Sequence, residues 1–258
     1  MKKFAKLAAV LMAAAMLLSL CACGNNTNND KKTITLGTSA DYPPFEFHIL
    51  KDGKDQIVGI DVSMAKAIAA EMGVELQIKD IAFDSLLIEL GQGTVDFVIA
   101  AIELNDERDA QADFSDPYYT DLPKMIVVPA DQAAAYATLN DFAGKLVGAQ
   151  TATTNVEIVT NDMPGAQLNS QTAVTDMFNM LASGKLDAVV VDGAIAMQYV
   201  ENNKTLAIAA ASDSLGEALP YCVAVAKGDP EGLLPGINAA IAEMTASGLY
   251  PDNLWEEK

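Results

Sequence analysis

Residues 100–119 read AAIELNDERDAQADFSDPYY, and this stretch indicates both the fold and the position of a site. It continues an apolar run typical of a buried parallel strand, and its segment Asn105-Asp106-Glu107-Arg108 is typical of a helix start. Ligands of open α/β sheets bind where the carboxyl end of a strand passes into such a helix. Arg108, the one arginine in the chain, would present there a planar set of donors that matches a carboxylate. The alternative is a surface arginine paired with a neighbouring acid, Glu107 or Asp109.

The run from Glu107 to Tyr119 resembles the central motif of extracellular amino-acid-binding proteins of ABC importers, the polar amino-acid family of solute-binding proteins. The resemblance extends from about Thr33 to the C-terminus. It implies an α/β fold of the two-lobe periplasmic-binding-protein type 2, with two α/β lobes joined by a two-strand hinge. In this family the arginine that matches Arg108 grips the α-carboxylate of a free amino acid, and the closed protein delivers it to a membrane ABC permease. No cofactor is implied.

An internal echo supports two lobes. Residues 90–96 (LGQGTVD) are echoed by residues 181–187 (LASGKLD), and each copy lies between a predicted helix and a short apolar strand. Two matched strand-helix sets predict two similar lobes with the ligand between them. Apolar runs at 125–128 and 221–226 are the predicted crossings. The predicted partition is lobe one at 33–122 plus 221–258, and lobe two at 123–220.

Asp192 follows the apolar run 189–191 and holds in lobe two the place that Ala101 holds in lobe one, so both are predicted to face the cleft. A carboxylate at the end of a buried strand needs a cation or several donors. The resemblance implies that this aspartate holds the α-ammonium of the ligand. The alternative is that Asp192 only caps the following helix.

Thr153 and Thr154 lie where the first strand of lobe two meets a helix start, so their hydroxyls and backbone N–H groups are predicted to help Arg108 hold a carboxylate. The family usually has Gly-Thr-Thr at this position. Here Ala152 replaces the glycine, a departure that predicts a tighter backbone turn.

Asp41, Tyr42 and Phe45 match the aromatic-proline loop of the family, and Phe83 matches the position facing it. Two rings, those of Tyr42 and Phe83, would enclose the ligand side chain and attract a cation. Phe45 and Phe47 are interpreted as packing within the lobe.

Glu103 stands where relatives usually have Ser, Thr or Gly. If it faces the cleft, three carboxylates, Asp41, Glu103 and Asp192, oppose Arg108. Such an excess favours a cationic amino acid and rejects an acidic one. This specificity is a hypothesis.

The N-terminus predicts export. A lysine-rich start and an apolar run make residues 1–22 a signal peptide, and the run up to Cys23 resembles a lipobox. The resemblance implies acyl chains on Cys23, a flexible tether at 23–32 and a protein held on the extracytoplasmic face of the membrane. The alternative is cleavage near Ala22 and free secretion. Cys222, the one cysteine left, is predicted to be buried.

Composition excludes several classes. A formal charge of −19 disfavours nucleic acid, and a monomer is expected. His48, the one histidine, is predicted to lie in a surface loop and leaves no His-rich metal site. The main prediction is therefore no enzyme. The alternatives are a secreted cyclohexadienyl dehydratase on the same fold, with Glu103 or Asp192 as general acid, and the ligand-sensing subunit of a separate membrane receptor.

Overall fold

The structure, a computed structural model, describes residues 33–247. The predicted signal peptide, Cys23, the tether and the last residues of predicted lobe one lie outside the described residues. The strands are β1 (Thr33–Thr38), β2 (Asp41–Tyr42), β3 (Glu46–Lys51), β4 (Lys54–Val58), β5 (Glu75–Asp80), β6 (Phe97–Val98), β7 (Ala112–Phe114), β8 (Tyr119–Thr120), β9 (Met125–Pro129), β10 (Leu146–Gln150), β11 (Gln167–Gln171), β12 (Ala188–Val191), β13 (Leu206–Ile208), β14 (Pro220–Tyr221) and β15 (Ala224–Ala226). The α-helices are α1 (Ile60–Glu71), α2 (Leu86–Gly91), α3 (Asp106–Asp109), α4 (Thr154–Glu157), α5 (Val174–Ala182), α6 (Gly193–Asn202) and α7 (Leu234–Ser247).

The strands form two five-stranded sheets of matching design. Sheet I has the order β5-β1-β6-β15-β7, and sheet II has the order β11-β10-β12-β9-β13. In each sheet a parallel trio is followed by an antiparallel strand, β15 in sheet I and β9 in sheet II. The predicted two-lobe α/β fold is therefore confirmed, and the internal echo marks its repeated unit.

The chain passes between the sheets twice, at a short antiparallel ribbon. β8 pairs with β14, with Tyr119 opposite Tyr221 and Thr120 opposite Pro220. The predicted crossing at 125–128 instead belongs to sheet II, and residues 224–226 belong to sheet I. The predicted lobe boundaries at 122/123 and 220/221 stay a prediction.

Apolar side chains explain why these elements pack. α1 and α7 pack against each other, and α5 lies against β10 and β12. Ile34 and Leu36 alternate into the core from β1, as the two-residue period of a half-buried strand requires. Cys222 is buried as predicted, 1% exposed. Within the described residues, no helix combines the length and the hydropathy needed to cross a membrane.

The aromatic-proline loop predicted around Asp41 and Tyr42 is part of a small sheet rather than a simple loop. β2, β3 and β4 form a three-stranded antiparallel sheet, with Pro43 and Pro44 in the turn between β2 and β3. The prolines exclude helix there, but they leave the flanking residues free to pair. His48 consequently lies in β3, exposed, with its two ring nitrogens 2.8 Å from Asp55 and 3.0 Å from Asp80.

Candidate ligand site in the cleft

Polar and charged side chains from both sheets converge on one cavity in the cleft. All nine residues that the sequence predicts for the site line it: Asp41, Tyr42, Phe83, Ala101, Glu103, Arg108, Thr153, Thr154 and Asp192. Lys124 and Asn155 line it as well. The cavity volume is only about 10 Å³, roughly what one water molecule needs. The cleft is thus closed, and contact of these residues with a ligand stays a prediction.

Arg108 is a buried cleft residue, 7% exposed, rather than a surface residue paired with a neighbouring acid. Asn105 caps α3 as predicted, its side chain accepting from the Arg108 backbone N–H at 2.8 Å. The guanidinium donates to the carbonyl of Glu103 at 2.7 Å and, across the cleft, to the carbonyl of Ala152 at 2.9 Å. It lies 5.4 Å above the Phe83 ring. Burial lowers the pKa of Arg108, although nearby acids oppose the shift.

Asp192 occupies the N-cap position of α6, but its side chain does not cap the helix. Its carboxylate faces the cleft and accepts from Tyr42 at 2.7 Å, Tyr221 at 2.9 Å, Lys124 at 2.6 Å and Asn155 at 3.3 Å. Burial opposes its charge, but the Lys124 charge and these hydrogen bonds outweigh burial and lower the pKa of Asp192. The helix-cap alternative therefore does not describe this side chain.

Lys124 is a buried cation of the site that sequence analysis missed. It precedes β9, is 6% exposed, and places its ammonium 2.6 Å from Asp192 and 3.0 Å from Glu103 Oε1. Burial disfavours its charge, but these two acids prevail and raise the pKa of Lys124. A lysine between Pro123 and a strand carries no motif, so only the unusual placement of a charge at a strand start could have signalled it.

Glu103 does face the cleft, 4% exposed, but it is not free to act as a spare negative charge. Oε2 accepts from Thr154 at 2.5 Å, and Oε1 lies in ion-pair range of Lys124 without hydrogen-bond geometry. The predicted balance of three carboxylates against one arginine is therefore wrong. Asp41, Glu103 and Asp192 oppose two cations, Arg108 and Lys124.

Asp41 and Tyr42 also connect the two sides of the cleft. Asp41 accepts from the backbone N–H of Val174, the first residue of α5, at 2.6 Å. Burial raises the pKa of Asp41 to about 6. Tyr42 bonds Asp192, whereas Phe83 lies against Arg108, so both rings line the cavity as predicted. Phe45, 0% exposed, packs in the core as expected.

Two alanines at the ends of strands adopt left-handed backbone angles. Ala101 has φ 46° and Ala152 has φ 63°. Thr153 donates to the carbonyl of Gln150 at 2.7 Å, closing the turn around Ala152. A residue with a Cβ costs roughly 1–2 kcal/mol in this region, so both turns are strained. A glycine would adopt the Ala152 angle without this strain.

Two buried acids, Asp61 and Glu46, lie next to each other near Ala101, and Asp61 binds the Ala101 backbone. Asp61 Oδ2 accepts from the Ala101 N–H at 2.7 Å, and Tyr118 donates to both of its oxygens at 2.9 Å. Glu46 is 1% exposed and has no donor for its carboxylate oxygens among the described residues. Burial, followed by the charge of Asp61, raises the pKa of Glu46 well above its usual value. Its surroundings therefore favour the neutral form of Glu46. Residues 33–247 contain no cluster of three or more His, Cys, Asp or Glu side chains suited to a metal ion.

Comparisons with known proteins agree with this architecture. Residues 34–253 match the family model of bacterial extracellular solute-binding proteins, family 3. The arginine-binding extracellular protein ArtP of Bacillus subtilis is 35% identical over 244 residues, 93% of this chain and 92% of that protein. The L-cystine-binding protein TcyJ of Escherichia coli is 32% identical over 224 residues, 86% of this chain and 81% of that protein. An amino acid ABC transporter substrate-binding protein of Streptococcus pneumoniae, AbpA, solved with L-arginine, has a TM-score of 0.81 and 33% identity, covering 88% of this chain and 96% of that one.

Fold and site together define a two-lobe protein that encloses a small solute between its lobes. The chain belongs to family 3 of the bacterial extracellular solute-binding proteins. It is an amino-acid-binding component of an ABC transporter that works outside the cytoplasm, as predicted. Its relatives are solute-binding proteins rather than enzymes, so the dehydratase alternative is set aside.

Proposed function

We propose that this protein captures an amino acid with a cationic side chain, arginine being the first candidate, and presents it to the ABC permease as a lipid-anchored monomer. One observation carries the proposal: Arg108 and Asp192 are both buried and face the same cavity with opposite charges. A zwitterionic head group, with one carboxylate and one ammonium, complements such a pair.

The head group would be divided between the two sides of the cleft. Arg108 and the backbone N–H of Thr154, at the start of α4, would hold the carboxylate, and Asp192 would hold the α-ammonium. The hydroxyls of Thr153 and Thr154 support this arrangement by donating to the Gln150 carbonyl and to Glu103. Ala101 would form the floor between them. Closure of the cleft on the ligand then joins Tyr42 to Asp192 and Asp41 to the start of α5.

The ligand side chain would lie between Tyr42 and Phe83, near Asp41. Besides Glu46, whose neutral form burial favours, three carboxylates face two cations in the cavity. When these five groups are ionised, one negative charge remains in excess, and aromatic faces attract cations. Relatives named for arginine support a cationic preference, although others are named for cystine and glutamine. Glu103 contributes to this preference by pairing with the Lys124 ammonium, which would otherwise repel a cationic ligand, and not as an unpaired acid.

Calorimetric titration of the refolded, ligand-free protein with each of the twenty amino acids and ornithine tests the proposal. We expect saturable one-to-one binding, tightest for a cationic amino acid. Binding of neutral amino acids with equal affinity would exclude the cationic preference but would still support amino-acid binding. No binding of any amino acid would contradict the proposal itself.

The membrane anchor would be diacylated Cys23, with residues 24–32 as a tether. The two lobes would divide at 122/123 and 220/221, next to the ribbon of β8 and β14. A fluorescence distance measurement between exposed labels on the two sheets, with and without ligand, tests whether these two parts move as rigid units.

A further inference from the structure

All hydrogen-bonding positions of Asp192 are filled by the protein itself. Oδ2 accepts from Tyr42 and Tyr221, and Oδ1 accepts from Lys124 and Asn155. A carboxylate has about four lone-pair positions in total. An incoming ammonium can bind Asp192 only if one of these donors leaves.

Lys124 is the charged donor of the four, and its ammonium is the chemical equivalent of the group that the ligand brings. Its backbone cannot retreat, because the preceding segment packs tightly on the start of α6. A Cβ on Gly193 would lie 2.5 Å from Leu122 Cβ and 2.6 Å from the Pro123 carbonyl oxygen. Asp121 in the same segment accepts from the Ala194 N–H at 3.2 Å. The lysine side chain, by contrast, has four rotatable bonds.

We propose that Lys124 is an internal competitor for the α-ammonium of the ligand. Its ammonium occupies Asp192 in the closed cleft, and ligand binding displaces it. The inference rests on the proposed function, because it assumes that Asp192 receives the ligand ammonium. It identifies Lys124 as a residue that lowers affinity, because its ion pair with Asp192 must be broken before the ligand ammonium can bind.

Glu103 makes the exchange possible. A lysine displaced from Asp192 would be left buried and unpaired, which is costly. Glu103 Oε1 lies 3.0 Å from the same ammonium and has no hydrogen-bond donor among residues 33–247. Glu103 therefore keeps Lys124 paired after Asp192 has been released. The carboxylate is itself held by Thr154 from the other side of the cleft.

The test compares affinities for arginine in four proteins: wild type, Lys124→Met, Glu103→Gln and the double variant. We expect Lys124→Met to lower Kd about tenfold, since methionine fills the same space without competing. Glu103→Gln keeps an oxygen for Thr154 but removes the second anion, so Kd should rise about tenfold. In the Lys124→Met background the same change should have little effect, because no lysine needs a partner. Lys185→Met, at an exposed lysine, is the control for lost charge and should match wild type.

Each outcome decides the inference. A higher or unchanged Kd in Lys124→Met overturns it and makes Lys124 a direct ligand contact or a structural residue. If Glu103→Gln weakens arginine binding equally with and without Lys124, Glu103 acts only by attracting the cationic ligand, and its proposed role as the partner of displaced Lys124 is excluded. If Lys124→Met does not fold, Lys124→Gln, which has a neutral donor, tests whether the arginine Kd falls. Failure of the wild type to bind any amino acid removes the proposed function as well, whereas wild-type binding with a weakened Lys124→Met removes this inference alone.

Discussion

The Tyr42 hydroxyl donates a 2.7 Å hydrogen bond to Asp192, joining β2 of one side of the cleft to the start of α6 on the other. The two residues are 150 positions apart in sequence. The same carboxylate receives Lys124, so the tyrosine helps to fix the anion on which head-group binding depends.

Tyr42→Phe removes this hydrogen bond and leaves the ring in place. The proposed exchange replaces Lys124 on Oδ1 of Asp192 and leaves the Tyr42 bond to Oδ2 in place across the closed cleft. A hydrogen bond to a charged group contributes about 1.5–3 kcal/mol, so the arginine Kd should rise about tenfold or more. Calorimetry measures the change. Tyr136→Phe, in a core cluster away from the cleft, is the matched control and should leave Kd unaltered. Equal affinities of Tyr42→Phe and wild type would show that the bond does not contribute to the closed complex.

Arg108→Ala removes the proposed carboxylate ligand. Loss of one partner of a buried charge pair costs about 2–5 kcal/mol, which corresponds to a Kd roughly thirtyfold higher or more. Arg108→Lys retains the charge without the planar pair of donors that now reaches Glu103 and Ala152, and we expect an intermediate loss. A binding isotherm of Arg108→Ala that overlays the wild type would exclude the assignment.

Stability should increase on mild acidification. Burial raises the pKa of Asp61 from 3.8 to about 6, so the folded protein retains a proton between pH 4 and 6 that the unfolded chain has lost. This stabilisation is complete below pH 4 and is lost as pH rises through 6, about 3 kcal/mol for this fully buried group. Asp41 and Asp121 shift in the same direction.

Urea unfolding between pH 5 and 7.5 measures this slope. We expect the free energy of unfolding to fall with rising pH in the wild type and to fall less steeply in Asp61→Asn, whose side chain does not titrate. Carboxylates with lowered pKa, such as Asp192 and Asp113, lose their contribution only on further acidification, outside this window. A stability that rises from pH 5 to 7.5 would refute the assignment.

Ala152→Gly tests the strained turn. Glycine adopts φ 63° without the Cβ clash, a gain of roughly 1–2 kcal/mol that its greater unfolded-state freedom reduces by about 0.4–1 kcal/mol. The net expectation is equal or slightly higher stability, with no loss of ligand affinity. Thermal unfolding measures the change in stability, and calorimetric titration measures the ligand affinity. Clear destabilisation would mean that the Ala152 methyl contributes packing that outweighs the strain.

Cys23→Ala should abolish lipid attachment. Cells fed an alkyne fatty acid should label the wild-type protein and Cys21→Ala, because only Cys23 has a small residue before it in the lipobox-like run. Fractionation should move Cys23→Ala from the membrane to the medium or periplasm. If the Cys23→Ala protein still carries the fatty-acid label, the lipid is attached to another residue.

The repeated unit and its strand ends could be predicted because they depend on local pattern. Asp192 is predicted from the echo of 90–96 in 181–187, and it does follow the last residue of β12. The apolar run that leads into residues 100–119 pairs as a strand only at Phe97 and Val98, since the backbone leaves the extended region by Ala101.

Long-range charge pairing could not be predicted. Lys124 and Asp192 are 68 residues apart, and nothing in either local segment specifies the other. The buried acids Glu46 and Asp61 are similarly invisible, because acidic residues beside a hairpin and in the first turn of a helix are normally exposed. The sequence thus indicated which residues line the cavity, whereas their pairing required the tertiary structure.

The position of β15 in sheet I determines the order in which the molecule can be completed. This strand lies between β6 and β7, so the first sheet lacks a central member until residue 226 has been made. Every strand of sheet II lies between residues 125 and 208 and is available earlier. All strands of sheet II are therefore present once residue 208 has been made, whereas sheet I, and with it a two-sided ligand cleft, requires the chain through residue 226.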